Sequence, residues 1–113
     1  MLQIDIRPFK GILFVRLKGN LNKKSISKLE TEVIKFQKIV GIKNIVFNIE
    51  ELNEIDNYGK YALINSFNLC IKNKGQGFIC LGDNDKISDK LTPIFSKVNF
   101  ISDELAAVNL INS

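Results

Sequence analysis

Two short apolar runs constrain the fold more than any other feature. Asn44-Ile45-Val46-Phe47-Asn48-Ile49 has an apolar centre, and Gly77 to Leu81 is a second such run. Dense apolar segments of this length suit strands covered on both faces. A longer stretch with helical spacing precedes each. From about Lys23 to Val40, the residues Ile26, Leu29, Val33, Phe36 and Val40 recur on steps of three and four, with Ile34 widening the stripe. Gly41 is expected to cap its C-terminus. From about Asn57 to Lys74, a second helix should turn Leu63, Ile64, Phe67, Cys70 and Ile71 inward, with Gly75 and Gly77 ending it. Lys28 with Glu32, and Glu32 with Lys35, are expected exposed pairs on the first helix, each contributing about 0.2–0.5 kcal/mol.

The flanks fill in the order. Leu2, Ile4 and Ile6 alternate with Gln3, Asp5 and Arg7, the period of a half-buried strand that Pro8 should end. Lys10-Gly11 is a turn signal. Ile12 to Lys18 reads as a second strand, with Leu13, Val15 and Leu17 on one face and Ile12 and Phe14 on the other. The short turn predicts an antiparallel hairpin. Gly19 to Asn22 reads as a loop, and Glu50 to Asp56 as a polar connection. Asp83-Asn84-Asp85 opens a third helical pattern carrying Ile87, Leu91, Ile94, Phe95 and Val98. Pro93 should break it, because proline removes a backbone donor inside a helix. Thr92 would then cap a short second piece with Pro93 at its first position. Phe100-Ile101 is a short strand. Asp103 caps a last helix to about Leu110, with Leu105, Val108 and Leu110 as packing candidates. The sum is an α/β fold: a mixed sheet with an N-terminal antiparallel hairpin, right-handed crossovers and about four packed helices. At 113 residues, positions 1–113 fit a single domain.

Composition then removes whole classes of function. Histidine is absent, which excludes a histidine-based triad, a histidine-ligated metal and an imidazole switch. Cys70 and Cys80 are the only cysteines, and both sit in apolar surroundings, so two buried reduced thiols are expected. No nucleotide-binding glycine loop is present. The acids Glu50, Glu51, Glu54 and Asp56, and the pair Asp83 and Asp85, lie near helix starts, where caps and the helix dipole favour them. No metal and no cofactor are therefore expected. The net charge of +4 comes mostly from lysines spread among acids; Arg7 and Arg16 are the only arginines. That pattern argues against a nucleic-acid partner. Asp5 and Arg7 interrupt any leader-like apolar start, and no run approaches the roughly 18–20 apolar residues of a membrane span. The expectation is a cytoplasmic chain without membrane insertion.

One segment is more informative. A hydrophobic strand, an acidic connection and then Asp56-Asn57-Tyr58-Gly59 open the second helix. With Gly19-Asn20-Leu21-Asn22 after the hairpin and Gly75-Gln76-Gly77-Phe78 leading the next strand, this resembles the STAS domain of anti-sigma-factor antagonists. Their pattern is Gly-x-Leu-Asp in the first loop and Asp-Ser-Ser/Thr-Gly at the helix start. The resemblance implies a STAS-like α/β fold and a non-catalytic, cytoplasmic, bacterial signalling role in transcription regulation. The partner would be a serine-kinase anti-sigma factor or related regulator. Binding would use the Asn22 loop and the helix start: Asp56, Asn57, Tyr58, Gly59, Lys60 and Tyr61. In the family the helix-start hydroxyl is phosphorylated, which adds charge and blocks the contact.

This chain departs from the pattern at the decisive position. Tyr58 stands where the phosphorylated Ser or Thr would be, Asn57 replaces the other hydroxyl, and Asn22 replaces the loop acid. Control by serine phosphorylation is therefore not expected; Ser25 and Ser66, the nearest serines, fall in helical patterns. For Asn57 a helix-capping role is preferred over direct contact. Tyr58 and Tyr61 fit equally a packed surface pair or interface anchors. The alternative role is a STAS scaffold or transporter-associated subunit, whose partner would be another STAS protein or a transporter component.

Overall fold

The computed structural model describes residues 1–40, 42–91 and 98–112, with the side chains of all of these but 38–40. Strand β1 (Leu2–Phe9) pairs antiparallel with β2 (Ile12–Leu21), and β3 (Asn44–Ile55), β4 (Gly77–Cys80) and β5 (Asn99–Ile101) follow in parallel, in the order β1-β2-β3-β4-β5. Helix α1 (Ile26–Leu29) runs into a π-helical turn (Glu30–Ile34) and then α2 (Lys35–Val40). Helices α3 (Asn57–Lys72), α4 (Asp85–Leu91) and α5 (Glu104–Ile111) complete the order. The mixed α/β sheet with its N-terminal hairpin is thus present. Lys10 and Gly11 turn the hairpin with φ of 50° and 78°, the two-residue geometry whose twist matches that of strands.

Period two sorts the sheet's side chains into two layers. Leu13, Val15, Leu17, Ile45, Phe47 and Ile79 point to one face, against Leu29, Val33, Leu63, Phe67, Cys70, Ile87 and Leu91 of the helices. The Phe47 and Phe67 rings meet edge to face, 5.4 Å apart at 83°. Ile12, Phe14, Val46, Phe78, Cys80 and Ile101 point to the other face, which α5 covers through Ala107. Among the described residues, no helix is long and apolar enough to cross a membrane.

Several boundaries differ from expectation, each for a physical reason. Pro8 does not end β1; it pairs with Leu13 on an edge strand, where a missing donor costs no ladder bond. Gly19 to Leu21 is not loop. It continues β2 through register shifts, with Gly19 at φ 106°. The polar segment 50–55 is not a connection but the second half of β3: Leu52 and Ile55 are buried, and the segment pairs with β2 out to Leu21–Ile55. β4 stops at Cys80, so the other edge of β3 needs partners. Asn84 supplies them, its amide donating to the carbonyls of Ile49 at 2.8 Å and Leu52 at 2.9 Å. Asp83-Asn84-Asp85 opens α4 as expected: the helix begins at Asp85, and the Asn84 carbonyl accepts from the Ser88 amide at 3.2 Å.

Helix α3 ends at Lys72, and Lys74, not a glycine, takes the left-handed conformation at φ 65°. Ile71 faces solvent rather than the core, as do Leu105 and Leu110; Ala107 is the buried residue of α5. The Lys28 ammonium donates to the Leu2 carbonyl at 2.8 Å instead of pairing with Glu32. Asp103 caps α5 as expected, accepting from the Ala106 amide at 3.0 Å. Gly41 and the break at Thr92 and Pro93, with Ile94 and Phe95, lie outside the described residues.

Both cysteines are buried and free. Burial pushes the Cys70 thiol up to about 11, against a hydrogen bond from Gln37 that lowers it. Burial, then the nearby Glu50 and Glu104 carboxylates, push Cys80 up to about 12. The thiolate is the reactive form. Native protein at pH 8 is expected to leave both thiols unmodified by a disulfide reagent on the timescale that labels free cysteine. Both should react in denaturant; fast native labelling of either one refutes this.

Candidate functional site

The parallel strands β2 and β3 end together, with Leu21 opposite Ile55. In open α/β sheets, ligands bind beyond the carboxyl ends of the strands. Here the Asn22 loop leaves β2 and the start of α3 leaves β3, side by side.

Asp56 joins them. Its amide donates to the Leu21 carbonyl at 3.2 Å. One carboxylate oxygen accepts from the Gly59 amide at 2.8 Å, capping α3, and the other accepts from the Lys23 amide at 3.0 Å. The helix cap is thus Asp56 and not Asn57, which is the first helical residue and exposed. Both residue types cap well; the carboxylate wins because it also reaches the neighbouring loop. The Asn22 side-chain oxygen accepts from the Lys24 amide at 3.0 Å and holds the loop's own turn.

Gly59 is buried where the helix start meets β2. A Cβ there would lie 2.5 Å from the Leu21 carbonyl oxygen and 2.9 Å from the Leu21 side chain. Its small size sets how closely α3 docks. Tyr58 and Tyr61 are 50% and 65% exposed, and their spacing of three puts them on adjacent turns of one helix face. The Lys23 ammonium stands 5.4 Å above the Tyr58 ring. Lys60 is half-buried.

The two serines differ from an exposed hydroxyl. Ser66 is buried inside α3 and its hydroxyl donates to Gln37 at 3.1 Å. Ser25 is half-buried, and its hydroxyl donates to the Asn20 carbonyl at 2.8 Å while accepting from the Asn22 amide at 2.9 Å. Among the described residues, no group of three or more acidic or cysteine side chains converges as a metal cage. Glu51 sits 3.7 Å from Lys18, and Glu50 accepts from the Cys80 thiol at 3.8 Å, so these acids diverge along β3.

Sequence reasoning missed a second feature, a groove of about 680 Å³ on the α5 face, lined by Gln3, Asp5, Arg16, Lys18, Asn48 and Glu104 among others. Arg16 grips Glu104 through two hydrogen bonds of 2.9 and 2.8 Å, and the Asn48 amide donates to the same carboxylate at 2.9 Å. The Arg16 hydrogen bond, above all, holds the Glu104 carboxyl below the usual range against the opposing effect of its burial. The spacing of 88 residues between Arg16 and Glu104 leaves no local signal for this pair.

The chain belongs to the STAS domain family: the family model matches residues 3–101. Among solved structures, its fold is that of anti-sigma factor antagonists. A putative antagonist from Thermotoga maritima superposes with a TM-score of 0.84 at 12% identity, over 97% of this chain and 95% of that one. An antagonist from Mycobacterium paratuberculosis gives 0.83 at 12%, over 100% and 96%. SpoIIAA, a Bacillus cell fate determinant, gives 0.77 at 14% in its unphosphorylated form, over 100% and 99%. At these identities the likeness is one of fold.

Proposed function

We propose that this chain is a non-catalytic binding module of anti-sigma-factor-antagonist type. Its partner is a kinase-type anti-sigma factor or related bacterial regulator in the cytoplasm. Contact is made through the Asn22 loop and the start of α3, with Asp56 and Gly59 shaping the surface and Asn57, Tyr58, Lys60 and Tyr61 presenting it. The observation that carries this reading is the exposed pair Tyr58 and Tyr61 on a helix start that Asp56 ties to the loop. Half-exposed tyrosines on a rigid support are good interface anchors.

Serine phosphorylation does not switch this module. SpoIIAA has both phosphorylated and unphosphorylated forms. Here the equivalent position is Tyr58, whose hydroxyl stands a ring's length from the backbone, and Ser25 and Ser66 are engaged in hydrogen bonds. That same substitution favours a second reading, a STAS scaffold or transporter-associated subunit that binds without a phosphate cycle.

Affinity capture from the native cell, followed by identification, tests both. A sigma-regulator kinase retained by the wild type and lost with Tyr58→Ala/Tyr61→Ala is the expected result. A STAS scaffold or transporter ATPase retained instead establishes the second reading. Stoichiometric phosphate on residues 56–59 after co-expression with the kinase overturns the phosphorylation-independent mechanism.

A further inference from the structure

The charge around the tyrosines is one-sided. Helix α3 spans 16 residues and contains no Asp or Glu, its first turn included. The positive end of the helix, where acids are favoured and cations disfavoured, is met by the capping carboxylate of Asp56 rather than by an acid of the helix itself. Lys60 nevertheless occupies this first stretch, and Lys23 and Lys24 stand exposed on the adjoining loop. The capping Asp56 has both carboxylate oxygens committed to backbone amides. Glu54 precedes it on β3, opposite Asn20 of β2. The exposed helix face continues through Asn65 and Asn68 to Lys72, again without a carboxylate.

We infer that this surface is built for an acidic patch on a protein, with carboxylates meeting Lys23, Lys24 and Lys60 around the anchors Tyr58 and Tyr61. The inference rests on the binding role proposed above and names the chemistry of the partner. Two observations favour a protein over a nucleic acid. The arginines, which grip phosphates in bidentate fashion, are elsewhere: Arg7 lies 3.2 Å from Asp5, and Arg16 is locked to Glu104 on the α5 face. The Lys23 ammonium is held over the Tyr58 ring, which spaces cation and aromatic surface as one contact rather than as a row following a phosphate backbone.

The test uses ¹⁵N-labelled protein titrated at low salt with poly-L-glutamate and with a 20-base-pair DNA duplex. Poly-L-glutamate is expected to shift amides of residues 22–25 and 57–61, and Lys23→Glu/Lys60→Glu, whose folding is checked by its spectrum, to abolish those shifts. Shifts confined to other regions, or DNA binding more tightly than poly-L-glutamate at equal charge, overturn the inference. The second arm measures affinity for the captured regulator. The lysine reversal is expected to weaken it by about tenfold or more, with a wild-type affinity that falls as salt rises. If Tyr58→Ala/Tyr61→Ala abolishes binding while the lysine reversal leaves it unchanged, the interface stands and its acidic partner surface is refuted. If neither variant changes binding, the interface itself is refuted and this inference with it.

Discussion

Truncating Phe47 to alanine is expected to cost about 3–5 kcal/mol of folding stability. Phe47 is fully buried on β3, between the neighbouring strands β2 and β4. Its ring meets that of Phe67 edge to face, an arrangement that adds to the burial itself. The surroundings cannot easily close the gap. Phe67 is already seated against Gly77, where an added Cβ would lie 2.3 Å from its ring, so it has little freedom to slide. A domain of this size commonly has about 5–15 kcal/mol in total, and the variant should sit near the edge of folding. Urea unfolding is the measurement: the midpoint should fall sharply with an unchanged slope, and Phe47→Leu should lose much less. A loss under about 1 kcal/mol would show that the core collapses into the space.

The second large effect is at Gly59. Helix propensity alone would favour alanine by about 1 kcal/mol. The geometry reverses the sign. The new Cβ would lie 2.5 Å from a backbone oxygen of Leu21 that is already held by the Asp56 amide, so relief requires moving the end of β2 or the start of α3. Overpacking of this kind costs about 1–3 kcal/mol. Gly59→Ala is therefore expected to lower the melting temperature, by about 4–8 °C for each kcal/mol lost. Asn65→Ala, exposed on the same helix, should leave it unchanged or raise it slightly. On the binding role proposed above, the Gly59 variant should also lose affinity for the captured regulator, because the displaced helix carries Tyr58 and Tyr61. A Gly59→Ala protein as stable as the wild type would mean that the strand end yields.

What the sequence revealed follows from how local each signal is. The faces of β2 were legible because Leu13, Val15 and Leu17 against Ile12 and Phe14 is a pure alternation. The Asp103 cap was legible because the capping carboxylate and the amide that donates to it, that of Ala106, lie three residues apart. The second half of β3 was not. Glu50, Glu51, Asn53 and Glu54 face water, and the inward residues Leu52 and Ile55 are three apart, since the strand is irregular in register beyond Arg16. Its other edge is satisfied by Asn84, distant in sequence. Asp56 and Asn57 are adjacent capping types, and only the position of Lys23 across the loop decides between them. At the candidate site, the reason for Gly59, a carbonyl on another strand, was not legible either.

The double grip of Asp56 has a kinetic consequence. Loop and helix start are held to each other by a carboxylate that bonds one amide from each, and by an amide that bonds the end of β2. Fixing a backbone residue costs about 1–2 kcal/mol of conformational entropy. For the residues between Leu21 and Gly59 at this corner, that cost falls in the folding step. On the binding role proposed above, a partner would meet a surface already in its final shape. Association should then run at about 10⁵–10⁷ M⁻¹s⁻¹ at high salt and faster at low salt, where the lysines steer the encounter.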